Sequence, residues 1–216
     1  MRISDARYSR DLRRYQLAWR FIRQGARTRT IERWTGLSMN RIRTLYAAYA
    51  TGATPGADSP LRGVAPHTVG FFFRSAHVKC EAAVLAGFLK VYRVFPTEAS
   101  GETGGHLEGL SRGEQLCLAY EEFKAYWPTA EPTLEHAILL LTEVTRGVEI
   151  ALGCCSMCHI LIVVDRLGLG PPRCAYCAYE MQAGLPYVPA RLESTEQCRT
   201  ATDGGIPSEG VQGSLF

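Results

Sequence analysis

The chain has 216 residues, of which 21% are charged and 46% belong to the AVILMFWYC set, a composition that fits a folded globular protein and excludes a wholly disordered one. That length allows one sizeable core, or a main domain with a smaller module, so stability need not depend on disulfides. The formal net charge is only +3, but its distribution is uneven, since Arg2, Arg7, Arg10, Arg13, Arg14, Arg20, Arg23, Arg27, Arg29, Arg33, Arg41 and Arg43 face only Asp5, Asp11 and Glu32 between residues 1 and 46. Such a one-signed stretch attracts polyanions, and the guanidinium fork suits phosphate oxygens and guanine edges; the alternative is a solvated helical face that keeps the protein soluble. The first residues are polar and arginine-rich rather than a charged start before an apolar h-region, and the apolar runs at 137–141 and 160–164 are too short to span a bilayer. The sequence therefore reads as cytoplasmic, with no membrane association.

In chain order, Leu12, Tyr15, Leu17, Ala18, Trp19, Phe21 and Ile22 recur at helical spacing between arginines and predict an amphipathic helix over 10–23, ending near Gly25. Within 26–52 one apolar set ends before Gly36 and another begins after Ser38, an N-cap for a helix over 39–50 that stops at Thr51-Gly52. Residues 54–66 are rich in turn formers and read as a linker or ordered loop. A helical signal fills 68–95, a polar glycine-rich surface loop follows over 97–109, and two more helices cover 111–127 and 131–150, with Pro132 in the first turn of the second. A strand is predicted over 159–164. The tail beyond Tyr187 has little to bury and reads as disordered. The expected fold is mainly α: a helical domain with an N-terminal helix-turn-helix-like pair and a C-terminal zinc-ribbon-like module built on four cysteines. Its divisions are an arginine-rich segment over 1–53, a helical core and partner-binding region over 67–150, a zinc module over 151–180 and a tail over 188–216.

A DNA-reading helix-turn-helix needs two short helices braced by a tight turn, so that the second lies in the major groove. Gly36 stands where that turn would be. Ile31, Leu37, Ile42 and Leu45 have the offsets to pack the pair together, leaving Asn40, Arg41, Arg43 and Thr44 to face outward. Asn and Arg make the bidentate contacts that read adenine and guanine, and Arg27 and Arg29 add basic groups beside them. Glu32 occupies a position that such motifs usually give to a small residue. A helical hairpin serving only the core would produce the same pattern.

The segment CCSMCHILIVVDRLGLGPPRCAYC contains five of the eight cysteines. Cys155-x-x-Cys158 and Cys174-x-x-Cys177, fifteen residues apart, have the spacing of a zinc site, in which each pair turns two thiolates onto one ion. Four thiolates close the coordination sphere, so the metal would be structural, one per chain, with no open position for a substrate. A thioredoxin-like redox pair would call for an α/β context that is missing here, and disulfides conflict with a reducing compartment. Cys154 and His159 are competing ligands, and Cys155 is preferred because its two-residue gap matches that of the second pair. Cys80 and Cys117 read as small core hydrophobes, and Cys198 belongs to the tail. His67, His77, His106 and His136 show no ligand spacing.

YQLAWRFIRQGARTRTIERWTGLSMNRIRTLY, a helical middle and the late CSMC and CAYC pairs together resemble the FlhC family of bacterial flagellar transcriptional activator subunits, over roughly residues 11–177. A metal- or thiol-dependent enzyme is disfavoured, because the sequence offers neither an open metal position nor a nucleophile with an evident base, so the chain reads as non-enzymatic and without a small-molecule substrate. The resemblance implies an activator working in a heterohexamer with FlhD. It implies binding to promoter DNA upstream of flagellar operons and recruitment of RNA polymerase carrying the housekeeping sigma factor. It also implies Zn2+ bound by Cys155, Cys158, Cys174 and Cys177. The sequence differs from that family in lacking a basic run after the last cysteine pair and in its longer loop over 97–109. A zinc-stabilised helical adaptor that binds only protein is the alternative reading.

Overall fold

The computed structural model describes residues 5–52, 65–96 and 109–183. It is mainly helical: α1 (Asp5–Arg23), α2 (Thr28–Thr35), α3 (Met39–Gly52), a 3-10 turn (Val69–Phe73), α4 (Ala76–Val91), α5 (Leu110–Tyr126), α6 (Leu134–Arg146), an antiparallel hairpin of β1 (Ile150–Cys154) and β2 (Leu161–Asp165), and α7 (Ala175–Gln182). The four-cysteine cluster sits on that hairpin. No helix among the described residues is long and apolar enough to cross a membrane.

The apolar positions spaced along α1 to α6 converge on one core, in which Phe21, Ile31, Ile42, Leu85, Leu116 and Phe123 are fully buried. Each such side chain contributes about 1.5–3 kcal/mol through removal of its surface from water. Gly113 sets the approach of α5 to α1, because a Cβ there would stand 2.7 Å from Leu17 Cδ2 and 3.3 Å from the Trp34 ring. Two arginines that the sequence offers to a polyanion are used along this same contact. Arg13 grips Glu114 at 2.9 and 2.6 Å, and Arg20 grips Glu121 at 3.1 and 2.6 Å. Both pairs repeat after seven residues, two helical turns, which keeps them on facing sides of the two helices. Exposed ion pairs of this kind add little stability, but they neutralise part of the basic surplus.

Local chemistry changes several expected boundaries. The signal over 68–95 divides at Ser75, whose side chain accepts the Val78 N–H at 3.1 Å and caps α4, leaving the preceding phenylalanines in the 3-10 turn. Helix α6 begins after Thr133, which with His136 forms a capping box, so Pro132 precedes the cap instead of occupying the first turn. Gly147, at φ 64°, terminates α6, and the chain then enters β1 where the sequence predicts helix to residue 150. Strand β1 and helix α7 are additions to the elements that the sequence predicts.

The hairpin joins two apolar environments. Leu152, Leu161 and Val163 pack against the helical core together with buried Ile150, whereas Ile162 and Val164 pack with the cysteine cluster. That division follows from the two-residue side-chain period of a strand. The cysteine module is thus continuous in packing with the helices. Residues 53–64, 97–108 and 184–216, which include most of the expected linker and loop and all of the expected tail, lie outside the described residues.

Candidate metal centre and helix pair

Cys155 follows β1 directly and opens the loop that closes the hairpin. Its N–H donates to the Ile160 carbonyl at 2.9 Å, and its carbonyl accepts from His159 N–H at 3.0 Å. His159 completes the turn at φ 60°, a left-handed conformation that favours glycine. The second arm is held against the first by the bond from Ser156 N–H to the Pro172 carbonyl, 2.8 Å. Cys174 is the N-cap of α7, and its sulfur accepts the Cys177 N–H at 3.3 Å. The Cys174 N–H in turn points at Cys155 Sγ, also 3.3 Å away.

These turns bring the sulfurs of Cys155, Cys158, Cys174 and Cys177 within 4.8 Å of one another, with Cys158 and Cys174 at 3.7 Å. Tetrahedral zinc with metal–sulfur bonds of about 2.3 Å places its sulfurs about 3.8 Å apart, so the cluster fits a single ion after a small contraction. Burial opposes the Cys155 thiolate, but N–H donors from Cys158, Cys174 and Met157 outweigh burial and pull its thiol down to about 6. Burial pushes the Cys158 and Cys177 thiols up. Several thiolates crowded in this site repel unless a cation lies between them. The four cysteines could therefore hold a metal ion such as zinc, and all-sulfur donors at these separations suit a closed structural site.

The other candidate ligands fall outside the set. His159 is exposed and is not among the clustered donors. Cys154 is not among the clustered donors either, as the choice of Cys155 expects, but it is disulfide-bonded, against the reading that excludes disulfides. Cys117 is buried as expected, but Cys80 is exposed. The inward face of α4 is formed by Val78, Ala82, Leu85, Ala86 and Leu89, and residue 80 lies off that stripe.

At the other end of the sequence, α2 and α3 form the expected pair. Gly36 adopts φ 67° and its N–H closes α2 on the Glu32 carbonyl at 2.8 Å, while the Thr35 hydroxyl bonds the Ile31 carbonyl at 2.6 Å and accepts Leu37 N–H at 3.2 Å. Ile31, Leu37 and Ile42 are buried between the helices and α1, with Leu45 partly buried beside them. Asn40, Arg41, Arg43 and Thr44 are all exposed on the N-terminal half of α3, and Arg29 is exposed on α2. Glu32 is half-buried, so its length is accommodated at the turn.

Arg27 has a structural role through its backbone: its N–H donates to the buried Glu135 carboxylate at 2.7 Å. The Thr30 hydroxyl reaches the same carboxylate at 2.8 and 3.0 Å. Glu135 thereby ties the start of α2 to α6 across more than a hundred residues. Nothing in the local sequence signals that link, because an acidic residue in the first turn of a helix is ordinary there.

No family model matches the chain, and no curated protein matches it.

Proposed function

We propose that this protein is a cytoplasmic, DNA-binding transcription activator of the FlhC type, non-enzymatic and stabilised by one Zn2+ on Cys155, Cys158, Cys174 and Cys177. The observation that carries the reading is the exposed group Asn40, Arg41, Arg43 and Thr44 on α3, immediately after a left-handed glycine turn and backed by a buried apolar seam. An N-terminal helix face carrying Asn and Arg is what major-groove readout uses. FlhD would complete the heterohexamer, promoter DNA of flagellar operons would be its target, and RNA polymerase with the housekeeping sigma factor its recruited partner. The zinc would hold the hairpin against α7 and contribute folding free energy, on the order of 10 kcal/mol in small modules, without taking part in a reaction.

The adaptor reading retains one specific support: Arg13 and Arg20 already face Glu114 and Glu121, which leaves less free positive charge than the sequence suggests. Fluorescence anisotropy on flagellar promoter DNA, with and without FlhD and across a salt series, separates the two. The activator reading expects binding that weakens steeply with salt, because phosphate neutralisation releases counterions. Replacing Arg41 and Arg43 together by Ala should lower specific affinity by roughly tenfold or more and flatten the salt dependence. Unchanged promoter affinity in that variant would assign the pair a purely structural role, and absence of DNA binding even with FlhD would favour the adaptor.

A further inference from the structure

Beside the cysteine cluster, β2 presents an edge that no strand covers among the described residues. The bonds from Cys155 N–H to the Ile160 carbonyl and from Arg166 N–H to the Glu149 carbonyl bracket the hairpin ladder. In an antiparallel ladder hydrogen-bonded pairs alternate, so Ile162 and Val164 turn their backbone groups toward β1. Leu161, Val163 and Asp165 turn theirs away. The Asp165 carbonyl accepts Gly168 N–H, and its carboxylate accepts Leu167 N–H, which leaves Leu161 and Val163 with both N–H and C=O unpaired among the described residues.

That edge borders a groove of about 540 Å³, which runs along residues 160–165. The opposite walls are Ala83 and Val84 of α4 and the returning segment at Pro171 and Pro172. The returning segment lines the groove without pairing to β2, and its consecutive prolines have no N–H to donate. The groove thus combines an unpaired strand edge with apolar walls. Its charged members are Lys79, Arg173 and Asp165, and the Asp165 carboxylate is already engaged by the turn. The available charge is positive.

We infer that this groove is a β-augmentation site for an extended segment of a protein partner, about five residues long, with alternating small apolar side chains and an acidic end facing Lys79 and Arg173. Main-chain bonds to Leu161 and Val163 supply the pairing, and side chains of alternate residues enter the space beside Ala83 and Val84. This site is separate from the α3 face and does not depend on DNA binding.

The test uses isotopically labelled full-length protein and a capped peptide, Thr-Val-Thr-Val-Asp-Asp, beside the same peptide N-methylated on alternate residues. Binding should shift the Leu161 and Val163 amides and slow their hydrogen exchange, and N-methylation should weaken it at least about tenfold. V163P removes an outward N–H without touching the β1 ladder and should abolish binding while the far-UV circular dichroism is retained. Should that variant fail to fold, the K79E/R173E double variant provides the second arm, with an expected loss of about tenfold or more and a reduced salt dependence. The proposal is overturned by absence of binding up to about millimolar peptide, or by equal binding of the N-methylated peptide. It is also overturned if the two amides are protected before peptide is added and lose that protection on truncation after residue 183, which would make the chain's own C-terminal segment the occupant.

Discussion

Replacing Glu135 by Ala should loosen the attachment of the helix pair to the core. The carboxylate is buried and accepts from two donors, Arg27 N–H at 2.7 Å and the Thr30 hydroxyl at 2.8 Å. Alanine leaves both without that acceptor, at about 1–3 kcal/mol for each buried unsatisfied group, so a loss of about 2–6 kcal/mol is expected. At about 2–4 °C per kcal/mol for a chain of this size, the melting temperature should fall by about 4–24 °C. Glu135→Gln keeps an amide oxygen in place and should lose only about 1 kcal/mol, because an acceptor remains and only its charge is gone. Urea unfolding of the three proteins measures the difference, and amide exchange at Arg27 and Thr30 shows whether it arises at this contact. A loss below about 1 kcal/mol in the Ala variant, or equal losses in Ala and Gln, would refute the view that these bonds anchor α2.

Three further outcomes can be measured. Zinc-loaded protein should contain one metal per chain by elemental analysis; Cys155→Ala and Cys174→Ala should each lose it and much of the soluble yield, whereas Cys154→Ala should retain it. Retention by Cys155→Ala with loss by Cys154→Ala would overturn the ligand assignment. Burial, reinforced by the Arg74 charge, pulls His136 down to about 4 from its ordinary 6.5. Between those values the unfolded chain binds a proton that the native protein does not, so stability is full above about pH 6.5 and declines as pH falls toward 4. The decline should be on the order of 1–2 kcal/mol, given the partial exposure of the ring, and His136→Gln, which preserves the capping-box geometry, should flatten it in denaturant titrations at each pH. Finally, His159→Gly should raise the stability of the cysteine module by on the order of 1 kcal/mol, because it relieves a left-handed residue; a lower unfolding midpoint would show that the imidazole supplies a contact worth more than the strain.

Among the described residues, the helices with clear punctuation and the grouping of the four cysteines were legible from local spacing. Gly36 and Ser38 mark the turn between α2 and α3 because glycine tolerates φ near 67° and serine follows where a new helix starts. The pairing of Cys155 with Cys158 and of Cys174 with Cys177 is legible because a two-residue gap is itself the geometry that turns two sulfurs to one point. These are local properties, carried within a few residues. Only the tertiary structure decided which arginines remain available. Arg13 and Arg20 look like the others until α5 brings Glu114 and Glu121 opposite them. Glu135 is likewise an ordinary first-turn acid until the fold buries it under Arg27 and Thr30. The strand edge at Leu161 and Val163 also came from the fold, since hydrogen-bond direction depends on register with β1 and on two prolines that cannot pair from the other side. Charge pairing, burial and strand register are relations between segments far apart in the chain, and spacing along one segment does not encode them.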